Sequence, residues 1–203
     1  LVGDRCPDPV DAVYEAIAKA GEEMLPFYRS MVIHADLYTV HGGFVNWLAE
    51  GLGAITFTNE LWTDKRILQN GQDPSPEERR RWDDRVMFGQ TLAPMKEMEI
   101  PEYGTVLIGG GNRWSNRNTP PFMLEEECHR NFAFTMFHAS QMPRLRFEKP
   151  EAKDLGNGLW EINVGIANDR LIPSRTARAA DKRIGLPDEL TLSGPGVTVI
   201  SSG

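Results

Sequence analysis

Cysteine is scarce in this chain. Only Cys6 and Cys128 occur in 203 residues. Two cysteines so far apart neither establish nor exclude a disulfide, and they offer no C-x-x-C pair. Histidine is nearly as scarce. His34, His41, His129 and His138 are the full set, and none of them opens an H-x-x-E pair. His129 and His138 stand nine residues apart on a predicted helix, which keeps them off a shared ligating face. All four are therefore expected as isolated surface or core side chains. Basic residues are outnumbered, 22 against 29 acidic, for a net charge of -7. That balance argues against nucleic acid as a partner, because nucleic-acid binders present a basic face. No apolar run approaches the roughly 20 residues that span a bilayer, so no membrane partner is expected. There is no G-x-S-x-G elbow and no sign of a nucleophile triad. Gly109-Gly110-Gly111 lacks the Lys-Ser/Thr of a phosphate loop and opens no helix, so it reads as a turn.

What is present suits one medium domain, or a domain with a small appendage. Leu1 stands first rather than a methionine, and no signal-peptide pattern follows it. A processed chain or a piece of a longer one is expected, and the compartment stays open. Val10, Val13, Ala16 and Ile17 recur at helical spacing, predicting a helix from about Pro9 to Met24. Met31-Val32-Ile33 reads as a short buried strand. Gly42-Gly43 breaks the chain, and Phe44 to Glu50 reads as a short helix. Ala54 to Trp62 alternates, with Ile55, Phe57 and Leu61 on one face and Thr56, Thr58 and Glu60 on the other. Neither face is richly charged, so an interior strand of an α/β sheet is expected. Glu60 at the end of such a strand is costly unless solvated, paired or used.

Ser75-Pro76-Glu77-Glu78 is a helix start: a Ser cap, Pro in the first turn and Glu three residues after the cap. That helix is expected to reach about Phe88. Gly104 to Ile108 reads as a strand closed by the glycine triplet. A second strong helix is predicted over about Leu124 to Ala139, with an apolar face of Leu124, Cys128, Phe132 and Met136. The texture changes at Pro143. Leu145 and Phe147, then Trp160, Ile162, Val164 and Ile166, alternate with polar residues, and Leu190, Leu192, Val197 and Val199 lie in similar short runs. A domain boundary is therefore placed near Met142. Residues 1–142 form one part, and residues 143–203 form a small β-sandwich-like unit.

The most specific run is Tyr38-Thr-Val-His-Gly-Gly-Phe-Val-Asn-Trp, followed by Gly53-Ala-Ile-Thr-Phe-Thr-Asn-Glu60-Leu-Trp. This resembles the zinc carboxypeptidase family, the carboxypeptidase A-like metallopeptidases. In that family a mobile tyrosine precedes a Gly-Gly pair, then an acidic or amide residue and Trp, and the next strand ends in the catalytic glutamate. The Tyr-to-Glu spacing here matches without a gap. Phe88 to Gly110, Asn118-Thr-Pro-Pro and the Trp160 to Pro173 stretch look like parts of large bacterial members. The family's zinc triad and its carboxylate-binding arginine lie upstream of the tyrosine. Only 37 residues precede Tyr38 here, and they carry neither. Trp62 stands where other members carry an arginine, which fits a divergent subfamily.

The resemblance implies the C-terminal half of a carboxypeptidase-like mixed sheet with flanking helices, followed by the β-rich tail. It implies that Glu60 is the general base/acid, that Tyr38 gives the substrate a hydrogen bond, and that Val45 floors an apolar specificity pocket. It implies zinc in a longer parent protein, with none bound to this chain alone. A peptide or protein substrate follows, and a secreted or periplasmic setting is favoured. A truncated sheet edge is expected to promote self-association. Two other readings compete: a non-catalytic binding protein that kept the fold, and a scaffold whose β-rich tail binds a partner or glycan.

Overall fold

The computed structural model describes residues 9–203. Cys6, and Asp8 at the head of the first predicted helix, lie outside them. Among these residues the chain is mixed α/β, with several helices and three two-stranded antiparallel sheets. In chain order come α1 (Pro9–Met24), α2 (Phe44–Asn46), α3 (Pro76–Val86), β1 (Leu92–Ile100), β2 (Gly104–Gly111), α4 (Arg113–Arg117), α5 (Leu124–Ser140), β3 (Leu145–Phe147), β4 (Glu151–Gly156), β5 (Leu159–Asn163), β6 (Ile166–Asn168) and α6 (Ala177–Asp181). Two compact units divide them. One takes the described part of Leu1–Tyr14 together with Val40–Phe57 and Ser140–Gly203. The other takes Glu15–Thr39 and Thr58–Ala139.

In the second unit, Ile17, Gly21 and Leu25 are buried at four-residue spacing. That is the inward face of α1 and of the turn beyond it. Phe134 of α5 lies directly against Gly21, where a Cβ would stand 2.6 Å from the ring edge. Helix α3 starts as its sequence dictates. Ser75 Oγ accepts the Glu78 amide and the Glu78 carboxylate accepts the Ser75 amide, with Pro76 in the first turn. The reciprocal pair satisfies two amides that a bare helix end leaves orphaned. At the other end of α3, buried Asp83 accepts the Thr91 amide at 2.9 Å and so sets the entry to β1.

Three expectations for this unit are corrected. Met31 and Val32 are exposed and unpaired in any ladder, and Ile33–Leu37 forms a single wide helical turn. The Asp36 carboxylate accepts the Val32 amide at 2.8 Å, so a local side-chain bond takes the donor a strand would have used. The glycine triplet is not a turn. Gly109, Gly110 and Gly111 run inside β2, where Ala93 faces Gly110 and Leu92 faces Gly111 across a bulge in β1. A Cβ at Gly109 would stand 2.7 Å from Met95 Cα, so the close approach of the two strands requires glycine there. Finally, the apolar face read for α5 is the wrong one. Leu124, Cys128, Phe132 and Met136 are exposed, while Glu127, Asn131 and Phe134 are buried.

In the first unit, Gly42 and Gly43 take φ of 78° and 103° and break the chain before α2. The helix expected over Phe44 to Glu50 is split into α2 and a wide turn over Trp47–Gly51. The tail forms a nested ribbon. Strands β4 and β5 make the inner hairpin, joined by Asn157 and Gly158 at φ 55° and 79°, the geometry of a type I′ turn. Strands β3 and β6 pair outside it, and the Glu148 amide still reaches the Gly165 carbonyl at 2.8 Å. Pro150 offers no N–H, so the ladder lapses before β4. Leu190, Leu192, Val197 and Val199, expected in short strand runs, are exposed and lie in no ladder. Helix α6 is capped by Thr176, whose hydroxyl accepts the Ala179 amide at 3.1 Å and donates to the Gly53 carbonyl at 2.6 Å.

Candidate functional site

The segment Ala54 to Trp62 runs as irregular chain rather than as the expected strand. Its amides are used singly. The Ala54 amide donates to the Leu48 carbonyl and the Thr56 amide to the Tyr14 hydroxyl. Beyond Glu60 the chain turns tightly. The Trp62 amide donates to the Glu60 carbonyl at 2.9 Å, closing a three-residue turn over Leu61. Trp62 itself has φ of 136°, a region non-glycine residues seldom occupy.

Glu60, expected half-buried at a strand end, is exposed. Among the described residues its carboxylate makes no hydrogen bond or ion pair. Solvation is the means by which the charge is tolerated. Tyr38 is 67% exposed, and its hydroxyl likewise makes no hydrogen bond among the described residues. Tyr38 and Glu60 both fall in the second unit, and no bond joins them. Val45 sits in α2 of the first unit, half-buried, with its carbonyl accepting the Thr56 hydroxyl at 3.4 Å. A shallow depression lined by Met24, Glu126, His129, Arg130 and Ala133 contains none of the three.

Sequence reading missed the cluster bonded to both neighbours of the Glu60-Leu61 pair, Asn59 and Trp62. Glu127 of α5 is 2% exposed. Its Oε1 accepts the Tyr28 hydroxyl and, at 3.1 Å, the Asn131 amide group. Its Oε2 accepts from Arg66, itself 4% exposed. Arg66 also reaches Glu126 at 2.8 Å, and Arg130 binds the other Glu126 oxygen at 2.7 Å. The guanidinium of Arg66 lies 5.9 Å from the centre of the Trp62 ring. The Tyr28 oxygen accepts the Trp62 amide at 3.0 Å, and the Asn59 side chain donates to Asn131 Oδ1 at 2.9 Å. The residues on both sides of Glu60 are thus tied into one buried polar network.

The electrostatics follow from this wiring. Burial and the bond to Glu127 push the Tyr28 hydroxyl up to about 12. Its hydrogen bond from Arg130, and then the charge of Arg66, hold the Glu126 carboxyl below the usual carboxylate range. A faint signal for the cluster exists in the sequence. Glu127, Asn131 and Phe134 share a helical face, but a polar face reads as solvent-facing until its partners are known.

No three His, Cys, Asp or Glu side chains gather around a common point among the described residues. The described residues therefore offer no three-ligand set for a zinc ion. No helix among them is long and apolar enough to cross a membrane. Residues 144–203 match the model of a family described as a domain of unknown function (DUF8731), and the match lies wholly downstream of Tyr38, Val45 and Glu60. No curated protein and no solved structure matches the chain.

Proposed function

We propose that these residues belong to the C-terminal portion of a zinc-dependent metallocarboxypeptidase that hydrolyses the last peptide bond of a peptide or protein substrate. The observation that carries this reading is the ungapped run from Tyr38 through Gly42-Gly43 and Trp47 to Glu60. The exposure of both end residues is compatible with it, since a base must meet water and a substrate-capping tyrosine must meet substrate. In the parent, the expected fold is the carboxypeptidase-like mixed sheet, with the β-rich tail packed as a sandwich-like unit.

Glu60 acts as general base/acid. Its carboxylate takes a proton from the attacking water, whose oxygen bonds to the scissile carbonyl carbon. As the carbon–nitrogen bond breaks, the same group returns the proton to the leaving amine. Tyr38 donates a hydrogen bond to the substrate. Val45 brings no charge to the pocket floor, so an apolar C-terminal side chain suits it better than Lys or Arg. In the parent, ligands upstream of Tyr38 would hold the zinc implied by the resemblance, which would supply polarisation of the scissile carbonyl.

The experiment is hydrolysis of a C-terminal amino-acid reporter by the zinc-loaded parent and its Glu60→Gln variant. Turnover is expected to fall by orders of magnitude in the variant while the fold is kept. Near-normal turnover rejects the assigned role of Glu60. A parent that hydrolyses no peptide after zinc loading supports a binding protein instead. The present chain alone is expected to hold no stoichiometric zinc on equilibrium dialysis.

A further inference from the structure

We infer that Tyr28, Asn131 and Glu127 are positioning residues for the Glu60 carboxylate, an inference that rests on the reading of Glu60 as general base/acid. Glu60 has an anchor on each side. On one side, the Asn59 side chain donates to Asn131 Oδ1 at 2.9 Å, and Asn131 donates in turn to Glu127 Oε1 at 3.1 Å. On the other, the Trp62 amide donates to Tyr28 Oη at 3.0 Å, and the Tyr28 hydroxyl donates to that same Glu127 Oε1. The two paths close on one oxygen atom. Between them the chain has only Glu60 and Leu61, and the Trp62 amide is shared with the Glu60 carbonyl at 2.9 Å.

Three features argue that the closure holds the chain in place rather than merely filling space. Trp62 keeps φ at 136°, a conformation that persists only where the surroundings over-determine it. Its indole supplies further ties, Nε1 donating to Asp64 at 3.0 Å and the ring lying beneath Arg66. And a buried Arg–Glu pair with attendant amides is a poor means of gaining stability, since an apolar replacement often does as well. The role inferred for this network is to hold one backbone geometry around Glu60. Glu60 is exposed and free of partners among the described residues, so its own side chain cannot hold itself in place. The position of its Cα is set instead by Asn59 and Trp62. A base displaced by about 1 Å loses on the order of a hundredfold in rate.

The test uses the zinc-loaded parent with Tyr28→Phe, Asn59→Ala, Glu60→Gln and, as a control far along the β1–β2 hairpin, Thr105→Ala. Tyr28→Phe removes one hydroxyl and keeps the ring. Asn59→Ala cuts the opposite anchor, so the two variants approach Glu60 independently should either fail to fold. Each is expected to lower kcat about tenfold or more with KM changed less than about twofold, while Thr105→Ala leaves both unchanged. The loss from Tyr28→Phe is expected to vanish in a Glu60→Gln background, since residues acting through one group are not additive. A purely structural role would lower the residual rate by the same factor in both backgrounds, and that result, or an unchanged kcat, overturns the inference. A Glu60→Gln variant as active as the parent points instead to failure of the underlying reading. Amide hydrogen exchange on the present chain gives a readout free of activity. Tyr28→Phe is expected to speed exchange at the Trp62 amide, and unchanged exchange there also overturns the inference.

Discussion

Arg66 and Glu127 form an ion pair almost wholly withdrawn from water, with 4% and 3% of the two side chains exposed. Each charge is tolerated because the other is present. Glu127→Gln leaves the Arg66 charge buried beside a neutral amide, a change expected to cost about 3–5 kcal/mol. Replacing both partners, as Arg66→Met with Glu127→Leu, is expected to recover most of that loss. Urea unfolding midpoints of Arg66→Met, Glu127→Leu and the double variant decide it. A double variant as unstable as the two single losses summed would contradict the pairing.

Gly21 of α1 packs against the Phe134 ring of α5, and Gly21→Ala tests that contact. Alanine favours a helix by about 1 kcal/mol over glycine. Against that, the new Cβ would stand 2.6 Å from a ring carbon of buried Phe134. Overpacking of this kind typically costs about 1–3 kcal/mol. A net fall in Tm is expected, and a rise would show that the ring moves aside.

Alkaline pH acts through Tyr28. Its folded-state value, about 12, lies above the ordinary 10.0, so the folded chain holds this proton more tightly than the unfolded one. The stabilisation is complete below about pH 10 and is lost as pH rises toward 12. Unfolding free energy measured across that window is expected to fall more steeply for the native sequence than for Tyr28→Phe. Parallel curves would reject the assignment.

Ser75→Ala removes one half of the capping box at the start of α3. The expected loss is about 1 kcal/mol, typical of a Ser cap. The same variant is expected to raise the Glu78 carboxyl part of the way from its depressed position, because the Ser75 amide, the larger cause, is kept while the hydroxyl bond is lost. A thermal melt and a proton titration followed by NMR check the two halves separately. A melt unchanged by Ser75→Ala would mean that the cap adds nothing to α3.

Local signals in the sequence were reliable where the physics is local. The spacing of Val10, Val13 and Ile17 predicts α1 from Pro9 to Met24, and the helix has those bounds. Ser75-Pro76 with Glu78 predicts the start of α3, and the structure forms both bonds of the box. The alternation at Leu145 and Phe147, and again at Trp160 and Ile162, predicts strands, and β3 and β5 form there, with the turn at Gly156-Asn157-Gly158 where it is expected. The misses share a cause. Alternation from Ala54 to Trp62 describes a segment able to pair, but no strand lies beside it among the described residues. Leu124, Cys128, Phe132 and Met136 mark an apolar face, but α5 turns Glu127 and Asn131 inward instead.

The sequence by itself determined the helix starts, the hairpin turn of the tail, and the ordered run from Tyr38 to Glu60. Each depends on residues within a few positions of one another. Only the tertiary structure decided which face of α5 is buried, and that the neighbours of Glu60 are tied to Tyr28 and Asn131. Tyr28 and Glu127 are 99 residues apart. A buried carboxylate is unfavourable until its donors arrive, and those donors come from distant parts of the chain.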